Sequence, residues 1–164
     1  MSRLIALVFD DQFKGEEARA ALNRMVGEGL LEIQDSVLIT KRLDGLTQVS
    51  QENNVIHRGQ ISGNVAGLIA AAVTGTVPFI LAGTVAGRLV GKLMDHGITH
   101  KFVKTVKQEI DPGTSALILL ADSDPERRQV IIDRLRIYEP HVVESDLPAE
   151  LEREIEEGKD KDAA

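Results

Sequence analysis

Two pairs of acids stand at matching places in the chain. Asp10 and Asp11 end the apolar run RLIALVFDD, and Asp122 and Asp124 end SALILLADSD. Clustered carboxylate oxygens suit hard cations such as Mg²⁺ or Ca²⁺. If the two runs lie side by side and parallel, up to four carboxylates gather at one sheet edge, a candidate metal site. Acids at strand–helix junctions also serve simply to cap the helices that follow and to favour their positive ends. His96 and His100 lie four apart, the spacing with which two imidazoles on a helix reach one metal. Only Asp95 stands by as a third ligand, and Gly97 loosens the geometry. His57 and His141 are isolated, and the chain has no cysteine. No Ser-His-Asp order, nucleophile elbow or phosphate-cradling loop is present. The expectation is a protein that is not an enzyme and uses no cofactor.

The strongest feature is GNVAGLIAAAVTGTVPFILAGTVAGRLVG, residues 63–91. Gly59, Gly63, Gly67, Gly75, Gly83, Gly87 and Gly91 keep one spacing of four, with Ala71 and Phe79 in the gaps. A glycine inside a helix costs about 1 kcal/mol against alanine. A register of them needs a compensating gain, and close backbone-to-backbone helix packing supplies one through dispersion and weak Cα–H···O contacts. Pro78 and the TGTVP stretch favour a break midway, so the segment reads as a helical hairpin whose glycine stripes form a zipper. Two such arms leave Leu68, Ile69, Val73, Ile80, Leu81, Val85 and Leu89 in need of cover, and an apolar face of that size marks an oligomer or membrane surface.

Residues 59–87 carry no charge and are flanked by Arg58 and Arg88. A single membrane crossing there would separate the two halves of the chain. A hairpin arm of about 15 residues reaches only about 23 Å against a hydrocarbon core of about 30 Å. After the segment, HGITHKFVKTVKQEI reads as an amphipathic helix with Ile98, Phe102, Val103, Val106 and Ile110 inward. Lys101, Lys104 and Lys107 form its outer face, a candidate contact for anionic lipid headgroups.

Around these features two similar halves are legible. RLIALVFDD and SALILLADSD are continuous apolar runs, as expected of central strands covered on both faces. EEARAALNRMVGEG places Ala18, Ala21, Leu22, Met25 and Val26 on one helical stripe ending at Gly27 or Gly29. LLEIQDSVLITKR is a second strand, and Asp44-Gly45 turns it into LTQVSQ. In the second half Asp124 caps a helix with Pro125 in its first turn, Ile131, Leu135 and Tyr138 line one side, and HVVESDL closes as a strand. Two strand–helix–strand units side by side make a ferredoxin-like α+β sandwich, with the two apolar first strands expected central and parallel. Residues 1–55 form the first half with its hairpin strand, 56–98 the glycine-rich insertion, 99–147 the connecting helix and second half, and 148–164 an acidic helix or tail.

The net charge is −7, of which the segment 149–164 carries seven acids against three bases. The body therefore lacks a strongly basic patch, and aromatics are only 3%, which argues against a nucleic-acid partner. The start MSRLIALVFDD is too short for a signal-peptide core, so a cytoplasmic location is expected, with membrane association through the hairpin as a variant.

LIALVFDD, GLLEIQDSVLITK and the glycine-rich centre followed by LMDHGI resemble a bacterial domain-of-unknown-function family, over nearly the whole chain to about Leu147. Its members are often labelled predicted membrane proteins or stress-associated proteins. The resemblance implies no reaction, cofactor or catalytic residue. The function expected is a non-enzymatic homo-oligomer assembled through glycine-zipper helices. A peripheral or re-entrant membrane protein using the same hairpin is the alternative, and a small-ligand or divalent-metal responsive module using the acids a further one.

Overall fold

A computed structural model describes residues 2–50, 65–75, 91, 92, 95, 97–122, 124–153 and 157. Strand β1 (Ser2–Phe9) leads through helix α1 (Lys14–Gly27) to β2 (Ile33–Lys41) and β3 (Thr47–Ser50). Helices α2 (Val65–Thr74) and α3 (Gly97–Glu109) follow, then β4 (Thr114–Asp122), α4 (Pro125–Leu135), a 3₁₀ turn over Arg136–Tyr138 and β5 (His141–Leu147). The protein is α+β, with one five-stranded antiparallel sheet in the order β3-β2-β4-β1-β5.

Local chemistry explains most element boundaries. Gly29 ends α1 at φ +75°, where the Leu30 N–H donates to the Met25 carbonyl (2.9 Å) and the Gly29 N–H to that of Val26 (3.0 Å). These are the paired bonds of a Schellman stop. At the β2–β3 hairpin Gly45 takes φ +88°, and the Asp44 carboxylate accepts from the Leu46 N–H at 3.0 Å. Asp124 caps α4 by accepting from the Glu126 N–H at 3.0 Å, with Pro125 in the first turn.

The side-chain alternation of each strand feeds two separate cores. Ile5, Leu7 and Phe9 of β1 join Leu117 and Leu119 of β4 on one face, under Ala18 and Leu22 of α1 and Ile131 and Leu135 of α4. Leu4 and Ala6 join Ile118 and Leu120 on the other. There they are covered by Ala66, Ile69, Ala70 and Val73 of α2 and by Phe102, Val103 and Val106 of α3. Helices thus lie on both faces of the sheet. That is why β1 and β4 read as unbroken apolar runs, each buried large side chain contributing roughly 1.5–3 kcal/mol.

Two expectations change here. The apolar first strands are neighbours, but they run antiparallel, with Ser2 opposite Asp122 and Phe9 opposite Ser115. Ile69 and Val73, expected to seek cover outside the chain, are buried against its own sheet. The sheet also joins strands from before and after the glycine-rich segment, so both flanks lie on one side of any bilayer. A single crossing between them is incompatible with this sheet, and no helix of the described residues is long and apolar enough to cross a membrane.

Candidate functional site

The glycine-rich segment meets the body at α2, and the seat is built by β2. Residue Gln34 is extra between the pairs Ile33–Ala121 and Asp35–Leu120, a β-bulge. The bulge resets the alternation, so that Ile33 and Leu38 share one face although they are five residues apart. Asp35 then turns to the other face and is buried, 3% exposed. One carboxylate oxygen accepts from the Ser36 N–H (2.8 Å), and the other from the Ala66 N–H in the first turn of α2 (2.8 Å). A buried carboxylate from the sheet thus caps the first helix of the glycine-rich segment, where the helix dipole favours negative charge.

α2 lays Ala66, Ile69, Ala70 and Val73 on the sheet, a stripe at helical spacing. At about 100° per residue the register Gly67–Ala71 lies to one side of that stripe. Ala71 is half-buried. Gly75 ends α2 at φ +69°, with open space where a Cβ would stand. The positive φ lets the backbone turn there, a conformation that L side chains rarely adopt. Gly91 is helical and exposed, again with open space around it. Gly59, Gly63, Gly83 and Gly87 lie outside the described residues, as do residues 76–90, which hold all of the expected second arm but its last glycine.

α3 follows the expected pattern: Phe102, Val103 and Val106 are buried, Ile110 packs at the core margin, and Lys101, Lys104 and Lys107 are exposed together with His100. None of the three lysines has an ion-pair partner among the described residues, whereas Arg3, Lys14, Arg19, Arg42, Arg127 and Arg128 each have at least one. Thr99 is fully buried on the inner side, and its hydroxyl has no hydrogen-bond partner. At the C-terminal end of α3, Glu109 bonds to His141 Nδ1 of β5 (2.6 Å), which gives the histidine taken as isolated a partner.

The acids do not gather. Because β1 and β4 are antiparallel, Asp10 and Asp11 leave one end of the sheet and Asp122 and Asp124 the other. The seven steps from Ser2 to Phe9 separate those ends by about 23 Å. Asp11 accepts from the Phe13 N–H (2.6 Å) and the Lys14 N–H (3.1 Å) as α1 begins. Asp122 accepts from the Asp124 N–H (3.2 Å), and Asp10 is exposed. Asp124 therefore caps α4, while Asp11 and Asp122 hold the turns that lead into α1 and α4. His96 lies outside the described residues, and among those described no three metal-ligating side chains come together.

Three polar anchors escaped the sequence reading. Asp35 left a trace, an acid inside an apolar strand. Gly15 left none: its N–H donates to Ser115 Oγ at 3.0 Å across 100 residues, and a Cβ there would stand 2.6 Å from that oxygen. Arg19, 5% exposed, pairs with Glu16 and donates to the Ser50 hydroxyl (2.9 Å) and carbonyl (3.2 Å), fixing the end of β3. At the β5 edge Arg3 meets Glu144 (3.2 Å) and Asp146. Partial burial works to lower the Arg3 pKa, but the two carboxylates outweigh it and hold the guanidinium above its ordinary value.

What these features define is an α+β sandwich with a glycine-rich helical segment seated on its sheet by a buried acid. The model of a family described as a protein of unknown function, DUF1269, matches residues 57–158, more than half of the 164, and the chain belongs to that family. The matched span holds α2, α3, β4, α4 and β5, and leaves out β1 to β3. No curated protein and no solved structure matches the chain.

Proposed function

We propose that this is a non-enzymatic protein that assembles with copies of itself through the glycine-rich segment, carried on a ferredoxin-like body. The sheet order supports the body. β1 and β2, joined through α1, flank β4, while β4 and β5, joined through α4, flank β1. That is the interleaving of two split strand–helix–strand units, with β3 added at one edge. The observation that carries the assembly reading is the division of labour on α2. Its Ala66, Ile69, Ala70 and Val73 stripe is buried against the sheet, while Ala71, in the same register as Gly67, lies to the side of that stripe and is only half-buried.

The test is the mass of the purified chain by light scattering over a hundredfold concentration range, with and without mild detergent. A defined multimer in plain buffer that Gly67→Leu dissociates supports the reading. A monomer at every concentration overturns it. The exposed, unpaired Lys101, Lys104 and Lys107 favour a second reading, attachment to an anionic membrane surface. Co-flotation with anionic vesicles that Lys→Glu changes at the three positions abolish supports it, and failure to co-float disposes of it.

A further inference from the structure

The most exposed large apolar side chains among the described residues gather at one end of the sandwich. Ile137 (77% exposed), Leu43 (76%), Phe13 (65%) and Leu46 (60%) stand out further than Leu30, Val49 and Val130. β1 finishes at that end and β5 begins there, with Val8 opposite His141. β2 finishes there too, its Lys41 opposite Thr114 and Thr47, so the hairpin tip with Leu43 and Leu46 closes the same end.

Three contacts set these side chains in a row. Leu43 lies over Gly113, where a Cβ on that glycine would stand 2.8 Å from Leu43 Cδ2. Next along, Ser115 Oγ donates to the Asp11 carbonyl at 2.6 Å and holds the turn that carries Phe13 against the start of β4. Lys14 then meets Glu139 at 3.5 Å, which brings the 3₁₀ turn with Ile137 beside the start of α1. Together the four side chains expose on the order of 500 Å², more than half of the roughly 800 Å² that each partner gives to a standard interface. The charges at the rim are paired within the copy, Lys14 with Glu139 and Arg42 with Asp44 at 3.2 Å. An apolar row with a paired rim is complementary to its own likeness.

We propose that this end of the sandwich is a self-association face, on which a second copy of the chain packs the same four side chains about a two-fold axis. The face uses none of the glycine-rich segment and is therefore a contact separate from the assembly proposed above. Exposed Asp10 and Asp111 at this end and the net charge of −7 oppose the approach, so salt tightens the contact by screening.

Thiol cross-linking tests this in the full chain, which has no cysteine of its own. Phe13→Cys puts a single thiol in the row, and Leu30→Cys puts one before β2, whose first residue Ile33 lies opposite Ala121 at the other end of the sheet. A short bismaleimide should join Phe13→Cys copies in pairs and leave Leu30→Cys copies single at the same concentration. Adding Leu43→Ser and Ile137→Ser, both at exposed positions, should cut the Phe13→Cys yield about tenfold, as loss of anchor side chains does. Thermal melts of these variants should match the parent. Linking of Phe13→Cys no faster than Leu30→Cys overturns the proposal, as does a yield that the two serines leave unchanged or that 1 M salt abolishes. The same link should persist when Gly67→Leu is added. A link lost with that change belongs to the glycine-rich segment and overturns this face as an interface of its own.

Discussion

Replacing Asp35 by alanine should undock the glycine-rich segment before it unfolds the body. The carboxylate is 3% exposed and accepts at 2.8 Å from both Ser36 and Ala66. Removing it relieves the desolvation of one buried charge, which by itself favours the variant. Against that relief, the Ala66 N–H loses a charge-assisted bond in a site from which water is excluded. A hydrogen bond to a charged group is worth about 1.5–3 kcal/mol, and a lost helix cap about 0.5–2 kcal/mol. The two figures describe the same bond and are not summed, so the net expectation is a loss of about 2 kcal/mol. For a chain of this size that lowers Tm by about 4–8 °C. Asp35→Asn keeps a neutral acceptor and should lose about half as much. Native-state hydrogen exchange localises the effect: the amides of Val65–Thr74 should lose protection ahead of those of β1 and β4. If D35A melts within 1 °C of the parent and α2 keeps its protection, the carboxylate does not hold the segment and the reasoning fails.

Three further substitutions probe particular contacts. Gly15→Ala pushes a methyl to within 2.6 Å of Ser115 Oγ and 2.7 Å of Leu38 Cδ1, and thermal melts should show a loss of about 1–3 kcal/mol. Thr99→Val removes a fully buried hydroxyl that has no partner at nearly constant shape, so chemical denaturation should show a gain of about 1 kcal/mol. Gly75→Ala forces an L-residue to φ +69°, at a cost of about 1–2 kcal/mol by denaturant titration.

Much of the local structure was legible because its causes are local. The stop at Gly29, the Asp44-Gly45 turn and the Asp124-Pro125 start each depend on a few adjacent residues, and each stands where the sequence places it. The inward face of α3 follows from spacing alone. The division of the α2 residues between sheet and glycine register was not legible, because an all-apolar helix has no polar face to mark its outside.

The amino-acid sequence by itself determined which segments are strands and helices, that β1 and β4 are covered on both faces, and where the charge-free segment and the lysine face lie. Only the tertiary structure decided that β1 and β4 run antiparallel, and that one choice sends Asp10 and Asp11 to the opposite end of the sheet from Asp122 and Asp124. It likewise brought Asp35 to Ala66 across 31 residues and Gly15 to Ser115 across 100. Periodicity and turn chemistry act over a few residues of chain, whereas strand direction and such anchors are set by which long-range packing buries both faces of the sheet with its polar groups satisfied.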